Sequence, residues 1–368
     1  MNIDIILPFK EQFTYSNASA VSISVKNSLL HSNYKKNIKI FGQNVTNPML
    51  NENFIGIKTS RITHLSRNVS LIKNYIKKHN IDNKKKLIEV HNRPYLIKYL
   101  FEKVKNNPLV LYYHNDPTKM KGSIKVNERE ELLKKVSGLV FVSDFLKEKF
   151  LEGISKNYSN LFVLPNSLSI NLNAKKNKAK KVLFVGRIVE EKGVEIYLEA
   201  IKDIASTFHD WKFYLIGESR SKIKIFRKNF EKEIINKFLQ IGSNVEQIGY
   251  IPNKDILKLM EESSILIVPS LWQEPFGLTA MEGLSNRMAV IANNVGGLCD
   301  IVRDNGILID NINKDKLKNK LIELIQNPSL LAEIQEKSWI NYKYDQKFIS
   351  SQQDSIRDQI FSNFFNVN

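Results

Sequence analysis

The chain contains little sulfur and few of the residues that interrupt regular structure. Its 368 residues include one cysteine, Cys299, together with 15 glycines and 10 prolines. A single cysteine excludes an intramolecular disulfide and a cysteine-rich metal site, and it is typical of a chain kept in a reducing compartment. With 42% hydrophobic and 25% charged residues, the chain has enough apolar material for two ordinary domains and too much for a disordered protein.

Long apolar runs are also lacking. The apolar run before Pro8 is too short for the hydrophobic region of a secretory signal. No stretch of the sequence approaches the roughly 20 apolar residues that a membrane-spanning helix needs. We therefore expect a cytoplasmic protein whose only contact with a membrane would be peripheral, on the cytoplasmic face of the inner membrane.

Acidic residues are scarce in the first half of the chain. Residues 1–180 hold 31 basic and 13 acidic side chains, whereas residues 181–368 hold 24 and 25, so the whole net charge of +17 arises in the first half. A basic half beside a neutral half predicts two modules, one of which faces an anionic partner such as a membrane, a polyanion or nucleic acid. A composition rich in Lys and Asn is the alternative, and it explains the amount of lysine better than its placement.

Short β-branched runs alternate with helical patterns along both halves. Runs that are apolar on both faces are typical of buried parallel strands, and the stretches between them suit crossover helices. The chain is therefore predicted to be an α/β protein with two Rossmann-like, doubly wound parallel sheets. The predicted strands are residues 3–7, 38–41, 86–90, 109–113, 138–142 and 161–164 in the first half, and 182–185, 212–216, 265–268, 288–292 and 307–309 in the second.

A polar, unpatterned stretch separates the two halves. Because residues 173–181 are rich in Lys and Asn, we predict an amino-terminal domain over 1–170, a linker over 171–180 and a second domain over 181–343. Residues 344–368 lack a strand signal and show apolar positions typical of an amphipathic helix. That helix could pack on either domain or cross back to the first.

The most informative segment runs from a buried strand at 265–268 through a loop with two prolines into a helix. In open α/β sheets ligands collect at the carboxyl ends of the strands, where the first amides of a helix bind anions. The backbone of Gly277, Leu278 and Thr279 is thus a candidate phosphate cradle. Glu274 and Glu282, at E-x7-E spacing, suit recognition of hydroxyl groups. Alternatively, one Glu is favoured by the helix dipole and the other caps a neighbouring loop.

A second candidate site follows the strand at 182–185. Gly186 permits close backbone approach, and Arg187 with Lys192 could neutralise a diphosphate. The pattern is weak alone, because basic residues after strands usually face solvent.

Together these residues resemble the second half of retaining glycosyltransferases of family 4. The matching blocks, in the family's order, are FVGR..EEKG at 184–193, YLIG at 214–217, PS..QEPFGL...EG at 269–283 and GG..DIV...G.L at 296–308. The first half resembles the family in topology and in short pieces around residues 112–116, 142–144 and 164–166. The resemblance implies the GT-B fold, in which two Rossmann-like domains face a cleft.

The resemblance also implies a role for each matching residue. Arg187 and Lys192 would hold the donor diphosphate and stabilise the leaving group, Glu274 would contact the donor sugar, and Glu282 would hold the ribose hydroxyls. His114 would lie near the donor sugar and the reacting centre. Transfer would retain the anomeric configuration and use neither a metal nor another cofactor. Fixed cations and helix amides aimed at the developing charge suit that chemistry.

The chain departs from the family pattern in the loop after its first strand. The family often has two glycines there, whereas residues 13–21 have none. Ser16 and Asn17, with Ala18, are expected at the start of the next helix and could still contact substrate. His114 could instead be a strand-end histidine bonded to the backbone or to Asp116, and His91 is the second histidine candidate.

We therefore expect a glycosyltransferase that moves a sugar from a UDP- or GDP-linked donor to a cell-envelope glycan or glycolipid, in lipopolysaccharide or polysaccharide biosynthesis. In this fold the basic amino-terminal domain would hold the acceptor, and an anionic inner-membrane surface is a candidate partner. A nucleotide-sugar epimerase of the same fold and a non-catalytic sugar-binding relative are alternatives. A basic nucleic-acid-binding protein is an alternative of another class, but nucleic acid is not expected as a partner because no recognised binding module is present.

Overall fold

The structure is a computed structural model that describes residues 1–59, 66–78, 85–219 and 229–366. It divides into two compact units. The first unit comprises Met1–Ser167 together with Tyr344–Asn368, and the second unit comprises Leu168–Lys343. Each unit is built on one parallel β-sheet with helices. The prediction of two doubly wound α/β sheets is confirmed.

The first unit contains a seven-stranded sheet in the order β3-β2-β1-β4-β5-β6-β7, and all neighbouring strands are parallel. Its strands are β1 Asn2–Ile6, β2 Ile38–Gln43, β3 Phe54–Ile57, β4 Lys86–His91, β5 Leu109–Tyr113, β6 Gly138–Phe141 and β7 Leu161–Val163. The helices that connect them are α1 Ala20–Leu30, α2 Arg67–Lys78, α3 Ile97–Leu100, α4 Val126–Lys135 and α5 Asp144–Leu151.

The second unit contains a six-stranded parallel sheet in the order β10-β9-β8-β11-β12-β13. Its strands are β8 Ala179–Val185, β9 Lys212–Ile216, β10 Val245–Ile248, β11 Ser263–Val268, β12 Ala289–Asn293 and β13 Ile307–Ile309. Its helices are α6 Val194–Lys202, α7 Asn229–Leu239, α8 Asn253–Glu262, α9 Leu278–Ser285, α10 Leu298–Val302, α11 Lys314–Gln326 and α12 Pro328–Ile340.

The last helix, α13 Gln346–Asn366, belongs to the first unit. Its Ile349 and Ile360 pack into the hydrophobic core of that unit. Gly138 on β6 makes room for the helix, because a Cβ atom there would lie 2.5 Å from Cδ1 of Ile360. The apolar positions recognised in the sequence thus anchor this segment on the first sheet.

Both sheets reverse their strand order once, and this positions the candidate site. In the first unit the reversal lies between β1 and β4, and in the second unit between β8 and β11. The loops that follow two adjacent strands at such a point diverge to opposite faces of the sheet and leave a crevice in which ligands bind. The sheet topology therefore marks one crevice in each unit.

Three local features differ from the sequence predictions. The strands β3 and β10 were not predicted, and each is a four-residue strand at an edge of its sheet with incomplete burial. Strand β8 begins at Ala179, within the predicted linker, because Lys178 just before it donates to the carbonyls of Glu261 and Asn286. Helix α1 begins at Ala20, since Ser19 caps it by accepting a hydrogen bond from the amide of Ser22 at 3.1 Å.

Candidate functional site

The loops that follow β8 and β11 are joined by backbone contacts at the reversal point of the second sheet. The loop after β8 ends in a 3-10 turn, Glu190–Lys192. The carbonyl of Glu191 accepts from the amide of Leu271 at 2.9 Å and from Oγ of Ser270 at 3.1 Å. Gly193 follows with φ of +66°, and a Cβ atom there would lie 2.0 Å from the carbonyl oxygen of Pro269. Only glycine therefore allows the two loops to lie this close.

Lys192 and Glu274 form an ion pair across these two loops. Nζ of Lys192 donates to Oε1 of Glu274, and Oγ of Ser270 donates to the same oxygen at 2.8 Å. Glu274 is 9% exposed, so the pair lies in a partly desolvated setting where its attraction is stronger than at the surface. Oε2 of Glu274 accepts no hydrogen bond from the described residues, so it can accept one from a ligand hydroxyl.

The paired glycines Gly296 and Gly297 support the backbone of Glu274. The amide of Gly297 donates to the carbonyl of Glu274 at 2.7 Å. A Cβ atom on Gly296, whose φ is +53°, would lie 2.5 Å from that same carbonyl oxygen. In the structure the two glycines fix the position of the carboxylate-bearing loop.

Arg187 lies at the carboxyl end of β8, directly after Gly186. The amide of Gly186 donates to the carbonyl of Ile216 at 3.0 Å, which continues the sheet pairing by one residue. The Arg187 side chain is exposed, and within the described part of the chain it makes no ion pair or hydrogen bond. Its guanidinium is therefore available to an anion.

Helix α9 begins beside Glu274 without a side-chain cap. Gly277 precedes it with φ of +113°, and a Cβ atom there would lie 2.6 Å from Cδ2 of Leu298. Leu278 and Thr279 are partly exposed in the first turn, where helix amides have no partner within the helix. These amides and the helix dipole can bind an anion at this point.

Glu282 lies further along α9 and shows a perturbed acidity. Its Oε1 accepts from Nδ2 of Asn253 at 2.7 Å. Burial of the carboxyl group raises its pKa to about 7, and the Asn253 hydrogen bond opposes that shift. Although part of the side chain remains accessible, its carboxyl group changes charge near neutral pH.

In the first unit His114 follows β5 and contacts a second histidine. Nδ1 of His91 lies 2.9 Å from Nε2 of His114, and the rings stack with centroids 5.1 Å apart. The amide of His114 donates to Oδ1 of Asn92 at 2.9 Å. Burial and the positive charge of Arg357 lower the pKa of His91 to about 3, and burial followed by the proximity of His91 holds the pKa of His114 well below its usual value. Both imidazoles are therefore neutral at physiological pH.

The hydrogen-bond pattern also assigns the protons of the two imidazoles. Nε2 of His91 is buried and has no partner among the described residues. An unpaired buried N–H is rarer than an unpaired acceptor, and the Arg357 charge favours a lone pair on His91. His91 then carries its proton on Nδ1 and donates it to Nε2 of His114. His114 is left with an N–H on Nδ1 that can donate to a ligand.

A buried polar network that the sequence analysis did not identify supports this histidine pair. Arg357 of α13 binds Glu89 of β4 with two parallel hydrogen bonds of 2.8 and 2.9 Å. The hydroxyl of Tyr112 donates to Glu89 at 3.1 Å, and the Tyr112 ring stacks on His91 at 4.5 Å. A charged residue inside an otherwise apolar strand run is the sequence signal for Glu89, because a buried carboxylate needs a partner.

Ser16 and Asn17 are the remaining predicted site residues of the first unit. They belong to an exposed 3-10 turn, Tyr15–Asn17, which precedes α1 instead of starting it. Nδ2 of Asn17 donates to Oε1 of Gln12 at 2.9 Å. The expectation that these residues form the helix start is wrong, because Ser19 is the cap. Their predicted contact with substrate stays a prediction.

The described ranges contain neither a cluster of metal ligands nor a membrane-spanning helix. Within residues 1–59, 66–78, 85–219 and 229–366, no three His, Cys, Asp or Glu side chains are grouped so that they could hold a metal ion. Over the same ranges, no helix combines the length and the hydrophobicity required to cross a bilayer.

The site just described lies in a segment that matches a known family. Residues 168–345 match the family described as Glycosyl transferases group 1. This segment contains Arg187, Lys192, Glu274 and Glu282. It falls short of half of the chain, and the chain spans about half the length of the curated relatives it matches.

Three similar proteins illustrate the match. The chain is 34% identical over 194 residues to an uncharacterized glycosyltransferase of Methanocaldococcus jannaschii, covering 52% of this chain and 50% of the relative. It is 24% identical over 232 residues to the lipopolysaccharide 1,2-N-acetylglucosaminetransferase of Salmonella typhimurium, covering 59% and 57%. The crystal structure of Anabaena HepE in complex with UDP and glucose has a TM-score of 0.73 at 16% identity, covering 96% and 99%. This last likeness shows that the two-unit fold is that of GT-B proteins.

Proposed function

We propose that this chain, whose second unit matches the family of group 1 glycosyl transferases, is a retaining glycosyltransferase of family 4. It transfers a sugar from a UDP- or GDP-linked donor to a cell-envelope glycan or glycolipid acceptor. The observation that carries the proposal is the Lys192–Glu274 pair, which joins the loops after β8 and β11 at the reversal point of the second sheet. Relatives from capsule regions of Klebsiella pneumoniae and from Salmonella lipopolysaccharide synthesis support a cell-envelope acceptor.

The cationic side chains bind and stabilise the leaving group in this proposal. As the glycosidic bond breaks, negative charge grows on the nucleoside diphosphate, and preorganised positive groups lower the energy of that state. Lys192 is held by Glu274 before the donor binds, and its two remaining N–H groups can reach phosphate oxygens. Arg187, which has no ion pair among the described residues, supplies a second cation, while the amides of Gly277, Leu278 and Thr279 supply neutral donors. These fixed charges would let transfer proceed without a metal or other cofactor.

The carboxylates and the histidine orient the donor. Oε2 of Glu274 accepts from a hydroxyl of the donor sugar, and Glu282 accepts from the ribose hydroxyls when it is ionised. His114 donates from Nδ1 to an oxygen of the donor sugar as a neutral group, because its pKa is held well below the usual value. Attack by the acceptor on the same face from which the diphosphate departs would retain the anomeric configuration.

The test is a transfer assay on the full chain with UDP- and GDP-sugars and with an acceptor fraction from cell envelopes. We expect nucleotide release that depends on the acceptor, and Lys192→Ala, Glu274→Ala and the isosteric Glu274→Gln should each abolish it while the protein stays folded. The exposed pair Lys320–Glu323 supplies the control, so Lys320→Ala should retain full activity.

Three outcomes would contradict the proposal. Turnover like the wild type in the Lys192 or Glu274 variants would remove the site assignment. Epimerised donor without any transfer would favour an epimerase, and a product of inverted anomeric configuration by NMR would exclude retention.

The membrane contact is a separate part of the proposal. The 31 basic and 13 acidic residues of 1–180 would attract anionic lipid, and this attraction should weaken steeply with salt, since the screening length is ~10 Å at 0.1 M. Binding to phosphatidylglycerol vesicles at low salt but not to phosphatidylcholine vesicles is expected. Equal binding to both, or binding to neither, would reject it.

A further inference from the structure

Two adjoining cavities lie beyond the carboxyl ends of β1, β2, β3 and β4 in the first unit. A cavity of about 400 Å³ is lined by Phe9, Lys10, Arg67, Asn68 and Arg93. A second, of about 270 Å³, is lined by Phe9, Gln43, Asn44, Ile57, Lys58, Thr59 and Arg67. Phe9 and Arg67 belong to both walls, with the guanidinium 4.7 Å from the ring centroid. The two cavities form one groove, which we call the switch-point groove, and its size suits a small ligand or part of a larger one.

The charges in this groove are almost all positive and almost all unpaired. Lys10, Lys58 and Arg67 are exposed, and within the described residues none of them makes an ion pair. Arg93 has one distant carboxylate, that of Glu11 at 3.9 Å. These four cations have a single acidic neighbour in the part of the chain that the structure describes, so they repel one another, and an anion bound among them would remove that repulsion.

The groove is built, because the backbone that presents its cations is fixed by specific contacts. Arg93 follows Asn92, and both adopt left-handed backbone conformations, with φ of +59° and +55°. Such conformations are unfavourable for residues other than glycine and persist only where the surroundings impose them. The amide of Asn92 donates to the carbonyl of Tyr112 at 2.7 Å. This turn directs the chain from the end of β4 into the groove.

The opposite wall is fixed in the same manner. The amide of Phe9 donates to Oδ1 of Asn68 at 2.6 Å, and Nδ2 of Asn68 donates to the hydroxyl of Tyr95 at 3.0 Å. These bonds tie the loop after β1 to the start of α2, where Arg67 lies. Oε1 of Gln43, at the end of β2, is buried and has no partner among the described residues. This oxygen can accept from a ligand hydroxyl but not from an anion, so binding of an anion depends on the cations that the preorganised frame presents.

We infer that the switch-point groove is an anion site that receives a phosphate group carried by the acceptor, an inference that rests on the proposed function. A phosphate monoester carries up to two negative charges and three strong acceptor oxygens, which suits two guanidinium groups and two ammonium groups better than a carboxylate with one charge. The acceptor class is accordingly a phosphorylated glycan or a phosphate-linked glycolipid. Phe9 offers an apolar surface beside the anion.

The experiment measures phosphate binding by calorimetry in a background variant that lacks the two cations of the donor site. The full chain carrying Arg187→Ala and Lys192→Ala is titrated with inorganic phosphate, with glucose 1-phosphate and with acetate at constant ionic strength. Adding Lys10→Gln and Arg67→Gln should lower the affinity for both phosphate ligands by roughly tenfold or more, since each hydrogen bond to a charged group contributes about that factor. Acetate should bind more weakly than phosphate.

The matched control removes two charges from the other end of the same helix. Lys77 and Lys78 are exposed in the last turn of α2, about 15 Å along the helix axis from Arg67 at 1.5 Å per residue. Lys77→Gln with Lys78→Gln should leave phosphate affinity within about twofold of the background, because removing distant exposed charges changes a screened field only slightly. A second groove variant, Lys10→Gln with Lys58→Gln, changes only exposed and unpaired side chains, so it tests the site even if replacement of Arg67 disturbs folding.

The results also identify the source of the phosphate. If the groove variants bind both phosphatidylglycerol vesicles and soluble phosphate more weakly than the control variant does, the phosphate belongs to a lipid-linked acceptor. If only the soluble ligands are lost, it belongs to a soluble glycan phosphate. No phosphate binding in the background, equal loss in the groove and control variants, or acetate binding as tight as phosphate would each overturn the inference.

A parallel titration with nucleotide sugars separates this inference from the proposed function. The wild type and the groove variants should bind the donor alike, because neither His114 nor the donor residues of the second unit line the groove. Donor binding and transfer without phosphate binding in the groove would overturn the inference alone. Phosphate binding in the groove by a chain that neither binds nor transfers a nucleotide sugar would overturn the proposed function and leave an anion site without an acceptor.

Discussion

The two units share one sheet topology, but among the described residues only the second ties a switch-point lysine to a carboxylate. In the second unit Lys192 is paired with Glu274, and glycines bring the surrounding loops into backbone contact. In the first unit Lys10, Lys58 and Arg67 project into a groove and make no ion pair among the described residues. Paired, closely packed loops suit a ligand whose position relative to a reacting bond must be fixed. Unpaired and exposed cations suit recognition of a charged group on a larger and more variable molecule.

The units also differ in what lies beneath these loops. The second unit supports its site with close contacts between glycines and the backbone of the neighbouring loop. The first unit supports His91 and His114 with a buried ionic network that reaches α13. Backbone contacts tolerate little change in side-chain volume, and buried ionic networks tolerate little change in charge. Four variants test this contrast.

The largest effect is expected for Arg357→Met, which leaves Glu89 buried without its partner. Both side chains are at most 1% exposed, and breaking such a pair typically costs about 3–5 kcal/mol. The free energy of unfolding, measured with denaturant, should fall by that amount. The exposed pair of Lys105 and Glu102 is the control, and Lys105→Met should give little measurable change. Equal losses of unfolding free energy in both variants would show that the buried pair stabilises the fold no more than an exposed pair does.

A smaller loss is expected for Gly193→Ala in the second unit. The added Cβ would lie 2.0 Å from the carbonyl oxygen of Pro269, at a positive φ, so the loops must separate at a cost of about 2 kcal/mol or more. Thermal unfolding gives the stability change, and transfer activity should fall with it. Gly249→Ala is the matched control, because a Cβ atom there has no atom within 4 Å. Activity unchanged in Gly193→Ala would contradict the role of close loop contact.

Acid should destabilise the chain through His91. Its pKa is about 3 in the folded state and about 6.5 when unfolded, so between these values the unfolded state binds a proton that the folded state does not. Stability therefore falls as pH decreases through this window, by about 1.5 kcal/mol between pH 6.5 and 5 from this group. Unfolding curves at several pH values should show a shallower decline in His91→Asn than in the wild type. The exposed His31→Gln should keep the wild-type slope.

The smallest effect concerns the pH dependence of donor binding. The pKa of Glu282 is about 7 because burial disfavours its charged form, and the ionised carboxylate is the form that accepts hydroxyl hydrogen bonds. Donor affinity should rise roughly tenfold from pH 6 to 8, since one pKa-controlled group changes occupancy of its ionised form by about that factor. Calorimetry with a nucleotide sugar should show this rise in the wild type and a flat profile in Glu282→Gln. A steep profile in the variant would assign the titration to another group.

Sequence patterns predicted the sheets because their central strands are apolar on both faces, as β5 and β12 are over most of their length. Strands β3 and β10 escaped prediction, because Gly56 interrupts the short apolar run of β3 and two of the four residues of β10 are polar. The edge strands β7 and β13 were predicted, because each is an uninterrupted apolar run. The loop residues Arg187, Lys192 and Glu274 could be named from their places after predicted strands.

Other parts of the site depend on distances that no local pattern encodes. The Glu89–Arg357 pair joins residues 268 positions apart, and the switch-point groove collects cations from the ends of different strands. The contact of Lys192 with Glu274 likewise follows from the adjacency of β8 and β11, which the sequence shows only through its overall topology. Spacing along the chain identified single residues, and packing decided which of them meet.

The central claim is that the loops after β8 and β11 bind the nucleotide sugar, and hydrogen exchange of the full chain tests it most directly. Backbone amides should be compared with and without a saturating nucleotide sugar, using UDP-glucose and GDP-mannose in turn. We expect slower exchange of the backbone amides in residues 186–193 and 269–282 with at least one donor, and no such protection in the Lys192→Ala variant. Unchanged exchange in both segments with every donor, or equal protection in the variant, would contradict it.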